Sequence, residues 1–177
     1  MGVHIKDRAI VSDPWRLLSP VPADPPPEWP GAGDVILPLS LWIARRPQWL
    51  LRPGRIGVWL DSHEDPEAIA EDLRLFGAVA VHFPKLADGR GYSIARSLRD
   101  RFGYRGELRA FGDVTRDQLA FLEACGFNAF TLRAGEDPAG AIAAFNEITE
   151  AYQGSAARPL PLFRRRHSIA PDGRGRS

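Results

Sequence analysis

The stretch Phe83-Pro84-Lys85-Leu86-Ala87-Asp88-Gly89-Arg90-Gly91-Tyr92-Ser93 gathers two cations, a carboxylate, two glycines and two hydroxyls. That composition suits an anion. Lys85 and Arg90 can make charge-assisted hydrogen bonds to phosphate, sulfate or carboxylate. Gly89 and Gly91 let backbone approach a ligand closely or take a positive φ. Tyr92 or Ser93, opening a helix, would turn backbone amides toward the same anion. The spacing is neither a Walker A loop nor a dinucleotide fingerprint. The plain alternative is a turn in which Ser93 caps the helix and Asp88 pairs with Arg90. Asp88, and Asp113 in the later Gly112-Asp113-Val114, are the candidate general acid or base, provided their surroundings move one of them toward the working pH. Asp113 is equally suited to capping a helix near Thr115 and Arg116. Arg133 would add a third cation. Of the acidic run Asp61 to Asp65, Asp65 before Pro66 reads as a helix cap and Glu64 as helix-entry charge, whereas Asp61 is harder to explain that way.

Four repeating units would position these residues. Apolar runs that read as strands begin at 56, 78, 107 and 128. Between them lie helical stretches from Glu67 to Phe76, Ser93 to Phe102 and Thr115 to Ala124, stopped by Gly77, Gly103 and Gly126. Asp137-Pro138 starts a last helix reaching about Gln153, with Asp137 as its cap. A helix in each crossover makes the strands parallel. The expected fold is α/β: four consecutive parallel βα units forming an open sheet or a partial (β/α) barrel. Either arrangement puts a site at the carboxyl ends of the strands. Those ends carry Asp61, Lys85 to Ser93, Asp113 and Arg133.

The front of the chain is irregular. Ile5 to Val11 reads as one short strand and the Pro-rich Pro20 to Gly33 as an extended linker. A helix over Leu41 to Leu51, capped by Asp34 or Ser40, is interrupted by Pro47. The organisation expected is residues 1–33 as a strand and linker, 34–155 as one α/β domain and 156–177 as a basic tail. His82, inside a strand, is expected to be packed and hydrogen-bonded, Cys125 to be buried, and Arg109 to pair with Glu107. The five tryptophans are expected to pack in the core or linker.

Composition narrows the function classes. The chain has 177 residues, 44% hydrophobic and 25% charged, with a net charge of +1. So balanced a charge argues against nucleic acid as a partner, because the basic run Arg164 to Arg166 is short and terminal. Nothing reads as a membrane span or a secretory signal, and a single cysteine fits a reducing compartment, so a cytoplasmic location is expected. One cysteine excludes an internal disulfide and a Cys-only metal site, and no cofactor is indicated by motif.

Lys85-Leu86-Ala87-Asp88-Gly89-Arg90-Gly91-Tyr92-Ser93, Gly103-Tyr104-Arg105-Gly106-Glu107-Leu108-Arg109-Ala110, Gly112-Asp113-Val114 and Cys125-Gly126-Phe127 together resemble a bacterial family of unknown function, number 934. The likeness runs from about Val35 to Leu132. Leu86 replaces the family's usual aromatic and Asn128 its usual Asp. Lys85, Asp88, Arg90, Tyr92 and Asp113 all match. Members are commonly labelled as probable oxidoreductases of sulfite reduction and are encoded beside assimilatory sulfite reductase. The resemblance therefore implies an accessory protein of sulfur assimilation, working with sulfite reductase or its electron donor. Two alternatives stand beside it: a small anion-binding enzyme or sensor using Lys85, Arg90 and Arg133, and a cofactor-dependent oxidoreductase. A half barrel would leave strand edges to cover, which favours a homodimer or a docked partner.

Overall fold

Hydrophobic runs without alternation are what a parallel sheet covered on both faces requires. Ile56-Gly57-Val58-Trp59-Leu60 is such a run, and all five residues are buried. The computed structural model describes residues 3–19, 31–85, 89–143 and 145. Its strands are β1 (Val3–Lys6), β2 (Ala9–Ser12), β3 (Trp15–Leu17), β4 (Asp34–Pro38), β5 (Ile56–Leu60), β6 (Phe76–Phe83), β7 (Glu107–Gly112) and β8 (Ala129–Phe130). Helix α1 (Leu39–Leu50) follows β4, a 3-10 helix (Pro66–Leu75) follows β5, α2 (Arg90–Arg96) follows β6, and α3 (Leu119–Ala124) follows β7.

The sheet runs in the order β2-β1-β8-β7-β6-β5-β4-β3. Strands β3 to β8 are parallel and neighbours in chain order, while β1 is antiparallel to both β8 and β2. A doubly wound sheet reverses its strand order at a switch point, and this one never does. Crossovers of one hand then put the helices on one face. The side chains agree. Val58, Val79 and Leu108 share a cluster with Trp42, Ile69 and Leu98 from the helical segments. The other face carries Trp15, Ile36, Trp59, Ala78 and Ala80 with Phe111, all from strands.

The sheet also curls. Strands β2 and β3 are its opposite edges, yet only Asp13 and Pro14 separate them in the chain. Three Cα steps of about 3.8 Å bring the edges within about 11 Å. The result is an open sheet in its hydrogen bonding and a partial barrel in its shape, and the gap is spanned by covalent chain.

Inside the curl lies a charged network. Arg109, in β7, donates from Nη1 and Nη2 to the two oxygens of Asp13 at 2.7 and 3.0 Å. It also donates from Nε and Nη2 to Glu107 Oε1 at 3.0 and 2.7 Å, the pairing expected from the sequence. Lys6 Nζ, in β1, reaches Glu107 Oε2 at 2.9 Å. The guanidinium side chain is 4% exposed. Its Nη2 lies 3.2 Å from His4 Nε2. Because a guanidinium only donates, His4 accepts there and carries its proton on Nδ1, which is buried without a hydrogen-bond partner.

Several local expectations change. Ile5 to Val11 is not one strand but a hairpin, whose turn residues Asp7 and Arg8 have φ of 48° and 62°. Asp-Arg lacks the glycine that usually marks such a turn. Tertiary bonds hold it instead: Arg8 grips both oxygens of Glu123 at 2.9 and 2.7 Å, and the Asp7 amide donates to the Asn128 carbonyl at 2.9 Å. Neither Asp34 nor Ser40 caps α1. Asp34 opens β4, a strand the sequence reading missed, and binds Arg55, while Pro38 occupies the N-cap. The helix bends at Arg45, two residues before Pro47. Gly77 does not stop a helix but lies in β6, where a Cβ would come within 3.0 Å of the Trp15 ring. Gly103, after the helical turn Ser97–Arg101 that continues α2, and Gly126, after α3, have φ of 65° and 109° and act as stops, as expected. Asp137 caps its helix through the Ala139 and Gly140 amides at 3.1 and 2.8 Å. Trp15, Trp42, Trp49, Trp59 and Cys125 are buried. Trp29, most of the Pro-rich linker, the end of the last helix and the basic tail lie outside the described residues.

Removing Arg109 would strand Asp13 inside the curl and leave Glu107 with Lys6 alone. Arg109→Ala is expected to cost about 3–5 kcal/mol in urea denaturation. The network also makes stability depend on pH. Burial, then the Arg109 charge, holds the His4 imidazole below its ordinary range. Burial works to raise Asp13 and Glu107, but the bonds and charges of Arg109 and Lys6 outweigh it and lower both carboxyls. In each case the unfolded chain takes up its proton at a higher pH than the folded one, so acid favours unfolding. The His4 contribution is complete above about pH 6.5 and lost below it, and the carboxylate contribution is complete above about pH 4 and lost below that. The urea midpoint should therefore fall between about pH 7 and pH 5, and His4→Gln should remove that part of the fall alone.

Candidate functional site

Strand alternation decides which side chains reach the open end of the curl. In β6, Val79, Val81 and Phe83 face the helices, so Ala78, Ala80 and His82 face inward. His82 pairs in register with Phe111 of β7. Beyond the strand ends the backbone stays stitched. The Asp113 amide donates to the Phe83 carbonyl at 2.8 Å, Thr131 to Ala110 at 2.9 Å and Arg133 to Val114 at 3.0 Å. Asp61, His82, Lys85, Asp113 and Arg133 therefore all belong to the carboxyl-end rim.

The rim has an aromatic floor. The His82 ring stacks on Phe111 with centroids 5.0 Å apart and an interplanar angle of 29°, and Trp59 meets both rings edge-on at 5.8 and 5.7 Å. Beside it the Asp61 carboxylate is held by its own turn. Its Oδ1 accepts from the Ser62 amide at 2.6 Å, and the Asp61 amide donates to Glu64 Oε2 at 2.7 Å. His82 Nδ1 is 3.7 Å from Asp61 Oδ2, and His63 Nδ1 is 3.6 Å from Oδ1. His82 is packed as expected but not hydrogen-bonded as expected, for its buried Nδ1 has no partner at bonding distance.

The cations lie on the same rim of strand ends. Arg90 Nη2 lies 3.5 Å from Ser62 Oγ, next to the Asp61 turn. Arg133 pairs with Asp113 at 3.3 Å and with Glu136 at 3.3 Å. Lys85 is exposed and makes no polar side-chain contact with the described residues. Asp113 does not cap the next helix; Thr115 and Gln118 form a capping box there. Asp65 caps as expected, accepting from the Glu67 amide at 2.9 Å.

Other expected ligands have structural tasks. Helix α2 begins at Arg90, so Ser93 sits within its first turn and does not cap it. Neither Gly89 nor Gly91 has a positive φ. A Cβ on Gly91 would lie 2.6 Å from the Phe83 ring, so this glycine lets α2 close onto the end of β6. Gly89 is exposed and has open space where a Cβ would be. Tyr92 packs between Phe83 and Phe121 at 5.2 and 4.8 Å, and its hydroxyl accepts from Gln118 at 3.3 Å. Burial raises the Tyr92 phenol above its ordinary range. Asp88, and with it the Asp88–Arg90 pair, lies outside the described residues.

Lys85 and Arg90 thus follow β6, Asp113 follows β7 and Arg133 follows β8, and the sequence reading missed the approach of Asp61 to His82. The signal was present. Ala78, Ala80 and His82 form the inward phase of β6, and Asp61 is the residue directly after β5. A cavity of about 490 Å³ lined by Glu71, Arg74, Phe76, Tyr104 and Arg105 sits at the other end of the strands, before β6 and β7. That end of a (β/α) layout carries stability rather than chemistry. No group of three or more His, Cys, Asp or Glu among the described residues is arranged to hold a metal ion, and no helix among them is long and apolar enough to cross a membrane.

A family model described as "Bacterial protein of unknown function (DUF934)" matches residues 57–163. No curated protein matches the chain.

The two loop glycines should respond differently to a methyl group. Gly91→Ala is expected to cost about 1–3 kcal/mol in urea denaturation, through the clash with Phe83. Gly89→Ala should stay within about 0.5 kcal/mol.

Proposed function

The chain belongs to the DUF934 family, and from that premise we propose that it binds a small oxoanion of sulfur assimilation at its carboxyl-end rim, in support of sulfite reduction in the cytoplasm. The observation that carries this reading is the placement of Lys85 and Arg90 after β6 and of Arg133 after β8, with Arg133 paired to Asp113 at the end of the intervening β7. Lys85 is exposed, and Arg90 leans on the Asp61–Ser62 turn. Arg133 is paired with Asp113 and Glu136 and would exchange those partners for the anion. Guanidinium and ammonium groups so placed suit sulfite, sulfate or the phosphosulfate end of a nucleotide.

A second reading is docking to sulfite reductase or its electron donor. It is favoured by Ile43, Leu50 and Leu51, large apolar side chains on α1 and its C-cap that are 62%, 45% and 87% exposed. The readings are compatible, since an accessory protein can carry an anion site.

Thermal-shift titration tests the anion site. A ligand that binds only the folded chain stabilises it by about 2.7 kcal/mol at a hundredfold excess over Kd. Sulfite, sulfate or adenylyl sulfate should raise the Tm of the wild type, and Lys85→Ala combined with Arg90→Ala should abolish the rise. Absence of a shift with all three anions would sink the anion reading. Docking is checked separately by co-purification under gentle lysis: retention of the reductase that is lost in Ile43→Glu combined with Leu51→Glu supports it.

A further inference from the structure

His82 stands where the anion would meet the inner face of the curl. Its ring is 30% exposed, yet Nδ1 is buried and without a hydrogen-bond partner. The exposed edge is then the opposite one, which carries Nε2. Asp61 Oδ2 lies 3.7 Å from Nδ1, a separation that a small rotation would close to a hydrogen bond. The carboxylate accepts from the Ser62 amide, the Asp61 backbone amide is held by Glu64, and Phe111 and Trp59 fix the plane of the imidazole. A carboxylate facing one ring nitrogen sets the tautomer and readies the other nitrogen for a proton. Ser62 joins this pair to the cations: its amide binds Asp61 and its hydroxyl faces Arg90.

Resting on the anion reading, we propose that His82, oriented by Asp61, is the proton-exchanging group of the site and that binding of an oxoanion is coupled to uptake of one proton at Nε2. In the neutral ring, a proton on Nδ1 is the one directed at Asp61, and Nε2 then holds a lone pair. When the anion seats, a proton from solvent bonds to Nε2. The imidazolium then donates from Nε2 to an anion oxygen and from Nδ1 to Asp61. The groups around it account for the charge. Asp61 faces it from the end of β5, with His63 and Glu64 on the same turn. Lys85 and Arg90 lie after β6, and Asp113, paired with Arg133, follows β7. Trp59 and Phe111 are uncharged. The ligand class is a small oxoanion, and one that carries a transferable proton could exchange it with His82.

Isothermal titration of the full chain with sulfate, in buffers of differing ionisation enthalpy, measures the coupling. Sulfate remains a dianion near neutrality, so any proton taken up goes to the protein. The wild type should show uptake approaching one proton, with affinity weakening about tenfold per pH unit above neutrality. His82→Gln should bind sulfate with no uptake and a flat pH profile, Asp61→Asn should reduce the uptake, and His63→Gln should leave it intact. Sulfate binding by the wild type without uptake would overturn the proposal while leaving the anion site standing. Uptake that survives in His82→Gln, or disappears in His63→Gln, would overturn it as well. Failure of the wild type to bind sulfate, sulfite or adenylyl sulfate would remove both.

Discussion

One guanidinium holds the curl together. Arg109 is buried in the wall of the sheet, which costs heavily unless the charge is matched and its donors are used. Asp13 and Glu107 supply that match, and Lys6 balances the second carboxylate. Two cations and two anions therefore cancel around a neutral His4. The partners come from distant parts of the chain: β7 gives Arg109 and Glu107, β1 gives His4 and Lys6, and the link between β2 and β3 gives Asp13. An ion network of this sort adds little net stability over apolar packing, but it penalises arrangements that leave a charge alone. Here the penalised arrangement is a flat sheet, in which Asp13 would be carried away from Arg109.

That constraint separates the two faces. Outside, the helices cover Val, Leu and Phe side chains of alternating strand positions. Inside, no helix among the described residues packs, and the charged network, small residues such as Ala78 and Ala80, and Trp59 fill the space. Toward the carboxyl ends the filling ends in the stacked His82 and Phe111. A titratable ring is thus held by aromatic surfaces at the point where strand gives way to loop, which is where parallel α/β proteins place their chemistry.

Much of this was legible in the sequence. The strand runs at 56, 78, 107 and 128, the glycine stops at 103 and 126, the Asp65 and Asp137 caps and the Arg109–Glu107 pair depend on local pattern, and local pattern is what a sequence displays. The missed features depend on distant partners. Asp7-Arg8 turns only because Glu123 and Asn128 clamp it. Strands β3 and β4 are short or end in proline, and only their neighbours make them strands. Gly77 looked like a stop because glycine after a helix usually is one, yet the Trp15 ring claims its space. In the site, the cations could be read from residue type. The approach of Asp61 to His82 was half legible: the inward phase of β6 and the place of Asp61 after β5 are local signals, but joining them needs the register between the two strands.

The boundary of the family match acquires a meaning from this wall. It begins at Gly57, within β5, and so takes in β6, β7 and β8 but none of β1 to β4. The recognisable portion thus carries Arg109 and Glu107, while their counter-charges, Asp13 and Lys6, come from the unmatched front. On its own that portion would present a bare strand edge and an ion pair that has lost two of its hydrogen-bonding partners. The smallest self-sufficient unit is therefore longer than the signature by which it is recognised, and a polypeptide trimmed to the signature would lose the staves that complete its interior.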